Sequence, residues 1–568
     1  MDILKFKKAN CKNCYRCIKE CPVKAIEFKE HQAQIITDEC LLCGRCVVAC
    51  PQNAKEARQD VSKVIEYIKN GEKVIASIAP SFIAGFNVSG IREFENYIKM
   101  LGFYAAEETA LGAYSVKSEY ENILNEKKQS VVISSCCHSI NKLIQKYYCE
   151  NIRFLAKVVS PMQAHAIYLK QKYPGCKVVF IGPCISKKEE AEIYNNVNNA
   201  DVVITFDELN SWFNENNIEI TIENNLMEQE HYRSRFFPKT GGIIQAMTLN
   251  DEYKYAAVDG IENCINVLKE ITEGNIKGYF IEMSACVGSC INGPAIKKLR
   301  GGFIAAETKI NDYAKSSDLN DFLNNVNIDT KKFFKADIPA ISIPGEKTIR
   351  EILAKVGKFK KEDELNCGSC GYPTCRDKAI AVYQGKAELE MCLPFMKERA
   401  ESLSDKIIES TPNAIIALDN NLNIQQINNA AAELFSLKDI NKYNKEYVSN
   451  ILDPVDIISV LETGININSQ KKYLSIYKKH VEQSIVLDKI HHLLIIIMKD
   501  ITEQENKNEE NKQIRLRTVE LTDKVIAKQM RIAQEIASLL GETTAETKIA
   551  LTNLKNFIGV DDINGEKK

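Results

Sequence analysis

The chain has 568 residues and twenty cysteines, and all but Cys149, Cys176 and Cys264 fall into tight groups. Two runs near the start are Cys11-x2-Cys14-x2-Cys17-x3-Cys21-Pro22 and Cys40-x2-Cys43-x2-Cys46-x3-Cys50-Pro51. Three segments follow in the middle of the chain: Ser134-Ser135-Cys136-Cys137-His138, Gly182-Pro183-Cys184-Ile185-Ser186-Lys187-Lys188-Glu189-Glu190 and Glu282-Met283-Ser284-Ala285-Cys286-Val287-Gly288-Ser289-Cys290. A last group is Cys367-Gly368-Ser369-Cys370-Gly371-Tyr372-Pro373-Thr374-Cys375, completed by Cys392. Clustering at short spacings in a large chain points to metal ligation rather than disulfides. Four thiolates meeting at one point are soft donors that suit an iron–sulfur centre or zinc.

The residues around the middle cysteines must be positioned by strands. Val131-Val132-Ile133, Val178-Val179-Phe180-Ile181 and Gly278-Tyr279-Phe280-Ile281 are apolar runs of strand length, each just before a cysteine segment. Val74-Ile75-Ala76-Ser77-Ile78 is another, leading into Ala79-Pro80-Ser81. From about 70 to 345, apolar runs alternate with amphipathic helical stretches, the pattern of an α/β domain. In such sheets, ligands converge at the carboxyl ends of strands.

Two groups of motifs carry resemblances. The doubled run in residues 1–58, with proline after each fourth cysteine, resembles the bacterial two-cluster ferredoxins. That resemblance implies one [4Fe-4S] cluster on Cys11, Cys14, Cys17 and Cys50, and a second on Cys40, Cys43, Cys46 and Cys21. The three middle segments resemble, in order and separation, the signature segments of the [FeFe] hydrogenases. Position by position, that family implies Cys137, Cys184, Cys286 and Cys290 as ligands of the [4Fe-4S] part of the H-cluster, with Cys290 also bridging to a two-iron CO/CN subsite. It implies Ala79-Pro80-Ser81 and Ser284 against that subsite, Lys187 hydrogen-bonded to a cyanide ligand, and Cys136 as the thiol that receives the proton of heterolytic H2 splitting. Glu119 and Glu282 match positions of its proton path.

The segments also depart from that family. His138 and Ile140 stand where Pro and Trp are usual, Gly182 and Ser284 where methionines are usual, and Ala156, Ile123 and Val116 where Ser, Arg and Glu are usual. Apolar side chains pass no protons, so slow turnover is expected. A relative that never receives the two-iron subsite is the competing reading of the same segments. Cys149, Cys176 and Cys264 read as ordinary semi-buried thiols.

Residues 350–400 resemble the small four-cysteine [4Fe-4S] domain of Rnf-type and corrinoid iron–sulfur proteins, which implies a third accessory cluster on Cys367, Cys370, Cys375 and Cys392. Zinc is the alternative there. Residues 401–505 contain no cysteine. Strands at Ala414–Leu418, Asn423–Ile427 and Leu493–Met498, with a helix at Ala430–Phe435, resemble a PAS domain, whose ligand the fold does not specify. His480, His491 and His492 read as polar surface residues. In 506–568, Ile514, Leu521, Val525, Ile532, Ile536 and Leu539 recur at spacings of seven, four and three, a coiled-coil seam. Gly541 reads as a break, and Thr543-x-x-Glu546 as a capping box for a second helix. The pair resembles the dimerising helices of sensor kinases; with no histidine after His492, the segment is not a complete kinase.

A net charge of −2 gives no electrostatic case for nucleic acid. The longest apolar run, Leu493–Met498, is strand-sized, so no membrane span is expected. The start, MDILKFKKAN, has no export pattern; a cytoplasmic location follows as an expectation. The fold class expected is multidomain α/β and α+β: a ferredoxin-like 2[4Fe-4S] domain, an α/β H-cluster domain, a small four-Cys Fe-S domain, PAS and a helical hairpin or coiled coil. This order resembles the sensory [FeFe] hydrogenases. Implied partners are H2 and protons, ferredoxin or a similar redox carrier, hydrogenase maturation proteins, a downstream signalling protein and a second copy in a homodimer. The rival readings are a catalytically active ferredoxin-linked hydrogenase and a redox-sensing protein lacking the two-iron subsite.

Overall fold

The computed structural model describes residues 3–29, 32–193, 199–221, 233–296, 301–314, 328–540 and 544–559. Gly541 and the start of the capping box at Thr543 lie outside them. The chain divides into two compact units, Met1–Met396 and Lys397–Lys568.

The first unit opens with a small lobe. Leu4–Phe6 pairs antiparallel with Lys55–Ala57, and Ile26–Lys29 with Gln32–Ile35. Two short helices, Arg16–Glu20 and Arg45–Ala49, each start inside a cysteine run. The rest of this unit is built on two parallel sheets. One orders its strands Ala105–Glu108, Val74–Ile78, Lys177–Gly182 and Val202–Thr205; the other orders Lys254–Asp259, Tyr279–Ser284 and Val131–Ile133. Val74–Ile78, Val131–Ile133 and Val202–Thr205 are buried at every position. Strands covered on both faces need continuous apolar runs, and these sequences supply them.

The consequence for function is directional. Parallel strands end on the same side, so Ala79-Pro80-Ser81, Ser134–Cys137, Pro183-Cys184 and Ala285-Cys286 are all delivered at carboxyl ends. The third of the sequence-marked strands is longer than its apolar run suggests. It continues through Glu282, Met283 and Ser284, in register with Ala257, Val258 and Asp259.

The second unit carries a five-stranded antiparallel sheet. Its strand order is Ile424–Ile427, Ala414–Asp419, Leu493–Asp500, Lys479–Asp488 and Ile467–Leu474. Burial alternates strictly along Ala414–Asp419, as it must where one face meets a core and the other does not. That core contains Ile416, Leu418, Ile424, Val481, Ile485 and Ile496. Asn428 is fully buried, and its amide is saturated: Nδ2 donates to the carbonyls of Ile408 and Asn413, and Oδ1 accepts from Ile415 and Ala431. The helix expected from Ala430 begins at Asn429, capped by that side chain. His491 and His492 are exposed and His480 is half-buried. The long helix Thr502–Leu540 leaves Ile514, Leu521, Val525 and Ile536 more than half exposed.

Candidate metal centre

The carboxyl-end segments of the two parallel sheets close around a cavity of about 110 Å³, room for a group of several heavy atoms rather than one water. Its wall includes Ala79, Pro80, Ser81, Cys136, Cys137, Cys184, Lys187, Glu282, Ser284 and Cys290. Cys286 is half-buried, and Cys184, Cys137 and Cys290 are the ionisable neighbours that act on it most strongly; the four thiols therefore converge. Cys286 also borders a wider cleft with Cys43 of the small lobe. Gly44, in the left-handed region at φ 74°, keeps these parts close, since a Cβ there would fall 2.6 Å from Pro294.

The other cysteine groups behave alike. Cys11, Cys14, Cys17 and Cys50 border one void of the small lobe, and Cys21, Cys40, Cys43 and Cys46 another. Cys367, Cys370, Cys375 and Cys392 border a fourth. Among the described residues, no three such side chains are close enough to hold a single metal ion. Tetrahedral zinc draws its sulfurs to about 2.3 Å from one point. Sulfurs spread around a void fit a polynuclear cluster better, and the donor set is the one such clusters use.

Lys187 is 9% exposed. Its ammonium donates to the Cys136 carbonyl at 3.0 Å and pairs with Glu190. Burial alone would lower its pKa, but the Glu190 carboxylate and nearby thiols raise it, so it stays charged. Glu190, itself fully buried, takes a second cation, Lys332, at 2.6 Å. Lys332 comes from the segment that pairs back at Val158 and Lys331. Beside them, Glu189 accepts from Lys142 and contacts His138 Nε2 at 3.0 Å. His138, buried, fills with a polar ring the place where proline is usual in the resembled family.

Cys136 faces Tyr120, whose hydroxyl lies 3.2 Å from its sulfur. Burial pushes the Cys136 thiol up to about 12, against the pull of that hydrogen bond. Tyr120 comes from helix Ala110–Glu126, and the Ser135 amide donates to its oxygen at 2.9 Å. Its neighbour Glu119 is outside the cavity wall and accepts from Asn122 at 3.2 Å. Val116 and Ala156 are buried with Tyr120 in an apolar cluster that also touches Cys136 and Ile123. Glu282 takes backbone amides of Gly241, Ile243 and Ile244 at 3.0–3.2 Å. Burial nonetheless raises it to about 7.

The cavity also contains residues to which the motifs assigned no role. Met162 and Met283 line it, offering thioethers where Gly182 and Ser284 offer none. At Gly182 a Cβ would meet the Phe180 ring at 2.7 Å, so that ring occupies the space a larger side chain would need.

The family model of the iron only hydrogenase large subunit, C-terminal domain, matches residues 72–294. This stretch of the chain is an iron-only hydrogenase domain. Residues 10–54 match a 4Fe-4S dicluster domain and residues 363–394 an Fe-S cluster family. Iron hydrogenase 1 of Clostridium pasteurianum is 24% identical over 274 residues, covering 39% of this chain and 48% of that protein. The chain thus spans about half the length of that relative. An [FeFe]-hydrogenase structure from Chlamydomonas reinhardtii covers 49% of this chain and 99% of its own at 16% identity and TM-score 0.39. The PAS domain of nitrogen regulation protein NR(II) from Vibrio parahaemolyticus covers 17% of this chain and 98% of its own at 22% identity and TM-score 0.15. Around the hydrogenase domain's cavity, Cys136, Cys137, Cys184, Cys290, Lys187 and the Ala-Pro-Ser turn share one wall, and neither Cys286 nor Glu119 is part of it.

Proposed function

We propose that the chain is an iron–sulfur hydrogenase-type sensor of H2 or redox state, with slow H2 oxidation. The observation that carries this is the cavity shared by Cys136, Cys137, Cys184, Cys290 and Lys187, with Cys286 outside its wall but near the other three ligand-type thiols. Cys137, Cys184, Cys286 and Cys290 would hold the cubane part of an H-cluster, and the cavity would take the two-iron part. When bound, that group supplies heterolytic H2 chemistry. The residues around it do simpler things. Lys187, kept charged by Glu190, is a fixed donor in a dry pocket, where a charge-assisted hydrogen bond is strong. Cys136 holds a proton. Pro80, Met162, Phe180 and Met283 exclude water.

The apolar packing of Val116 and Ala156 behind Tyr120 supports slow proton exchange. The two ferredoxin-type sites and the four-cysteine site would serve a redox carrier. Residues 401–505 read as a PAS domain, and the exposed apolar seam of Thr502–Leu540 as the contact of a homodimer that passes the signal to a partner. A signal requires two conformational states with different affinity for the input. The test is H2-dependent dye reduction by the matured protein beside a catalytic [FeFe] hydrogenase. We expect activity at least about a hundredfold lower, consistent with loss of positioned proton transfer, and abolished by Cys136→Ala. Equal rates would overturn the sensor reading in favour of a working enzyme.

A further inference from the structure

In chain order the four-cysteine segment follows the hydrogenase domain, but the fold carries it back to the small lobe. Tyr372 is 2% exposed and packs with Met391 against Ile18 and Phe28, in an apolar cluster flanked by Cys17, Cys21, Cys46 and Cys370. Gly371 sits in the left-handed region at φ 89°, and a Cβ there would lie 3.0 Å from the Ile18 side chain and 3.1 Å from the Tyr15 carbonyl. Only glycine allows both that backbone and that approach. Lys24 spans the seam, donating to the carbonyls of Ile18 at 2.9 Å and Gly371 at 3.1 Å. The Phe28 amide donates to the Lys386 carbonyl at 2.7 Å, and the Lys386 ammonium meets buried Glu39 at 2.6 Å.

This is a built seam with a largely apolar centre, and it places Cys370 of one site in the same packed cluster as ligand-type cysteines of both ferredoxin-type sites. We propose that the four-cysteine segment is a third redox station of the ferredoxin-type lobe, seated by Gly371, Tyr372 and Lys24 so that the groups held on the two sides interact. The inference rests on the reading of these voids as iron–sulfur sites. Each one-electron reduction adds one negative charge to a site. Across an apolar seam that charge is weakly screened, so reducing one station makes its neighbour harder to reduce. Paramagnetic groups so placed also couple magnetically.

The experiment uses the full-length cluster-loaded protein, with dithionite as the one-electron donor, read by electron paramagnetic resonance and iron analysis. A Cys370→Ala/Cys375→Ala variant is expected to lose about four irons per chain, the content of one [4Fe-4S] cluster. The ferredoxin-type signals that remain should be narrower and saturate at lower microwave power. Gly371→Val, which keeps every cysteine but wedges the seam, should narrow them with iron content unchanged; if it does not fold, the cysteine variant decides alone. Ferredoxin-type signals of the same width and saturation with and without the third site overturn the inference while leaving the cluster reading intact. Unchanged iron in the cysteine variant overturns that reading, and the inference with it.

Discussion

The Cys136 thiol, the Tyr120 hydroxyl and Ser135 form a chain with few protons to distribute. Ser135 Oγ donates its proton to the Val158 carbonyl at 2.7 Å, so towards Tyr120 it can only accept. The Tyr120 oxygen already accepts the Ser135 amide, and its own proton goes either to Ser135 or to Cys136. Val116 and Phe280 pack against it, and their apolar side chains carry no proton. Tyr120 therefore holds the thiol in place without extending its path. Tyr120→Phe keeps the ring but leaves the Ser135 amide unpaired, so the metal-free chain should lose about 1–3 kcal/mol, read as a lower denaturant midpoint. Unchanged stability would show that the hydroxyl is not bonded there. Glu282 gives a pH signature. Its folded pKa of about 7 lies above its ordinary value because burial outweighs three amide donors. A raised acid adds stability below its unfolded pKa and loses it as pH rises through the folded value. An infrared band of a protonated buried carboxyl should be present at pH 5, vanish as pH passes about 7 and be missing in Glu282→Gln; a band that titrates near the ordinary glutamate value contradicts this.

At the scale of elements, the strands were legible because double-sided burial writes itself as unbroken Val and Ile. The Tyr279–Ser284 strand was legible only to Ile281. Glu282 interrupts the apolar run, and the Gly241–Ile244 amides that satisfy it come from a distant segment. The face of helix Ala110–Glu126 was harder to read. Glu119 and Tyr120 are adjacent in sequence but about 100° apart around the axis. Residues on several sides of this helix are buried, so no polar stripe marks which one turns to Cys136. The strands Ile467–Leu474 and Lys479–Asp488 are harder to read, because polar residues fill most of the first and Gln483 takes a buried position of the second. What orients the Tyr120 helix is its contact with Pro161–Lys172. At Gly112 a Cβ would fall 2.4 Å from the Pro161 carbonyl and 2.6 Å from the His165 amide. Gly112→Ala should therefore push these helices apart, costing about 1–3 kcal/mol, and displace both Tyr120 and Met162 from the cavity. A thermal unfolding midpoint equal to that of the unmodified chain would show that the contact is looser than described.

For the whole molecule, the cysteine spacings allowed the ligand groups to be separated by sequence alone, since a run such as Cys-x2-Cys-x2-Cys constrains itself locally. The spatial order of the groups was not legible. Nothing in the 367–392 spacing announces that its glycine will meet Ile18, because that contact joins residues more than three hundred positions apart. The cation pair on Glu190 was hidden for the same reason, with Lys332 arriving from a late segment of the unit. All of these placements serve one claim: Cys137, Cys184, Cys286 and Cys290 close around one cluster, with a two-iron group beside Cys136 and Lys187. Infrared spectroscopy of the protein matured with its two-iron subsite tests that most directly. The account predicts bands from iron-bound CO and cyanide that shift on exposure to H2, with the cyanide bands moving in Lys187→Met. A protein carrying all its cubane clusters after maturation, yet showing no CO or cyanide bands, would contradict it.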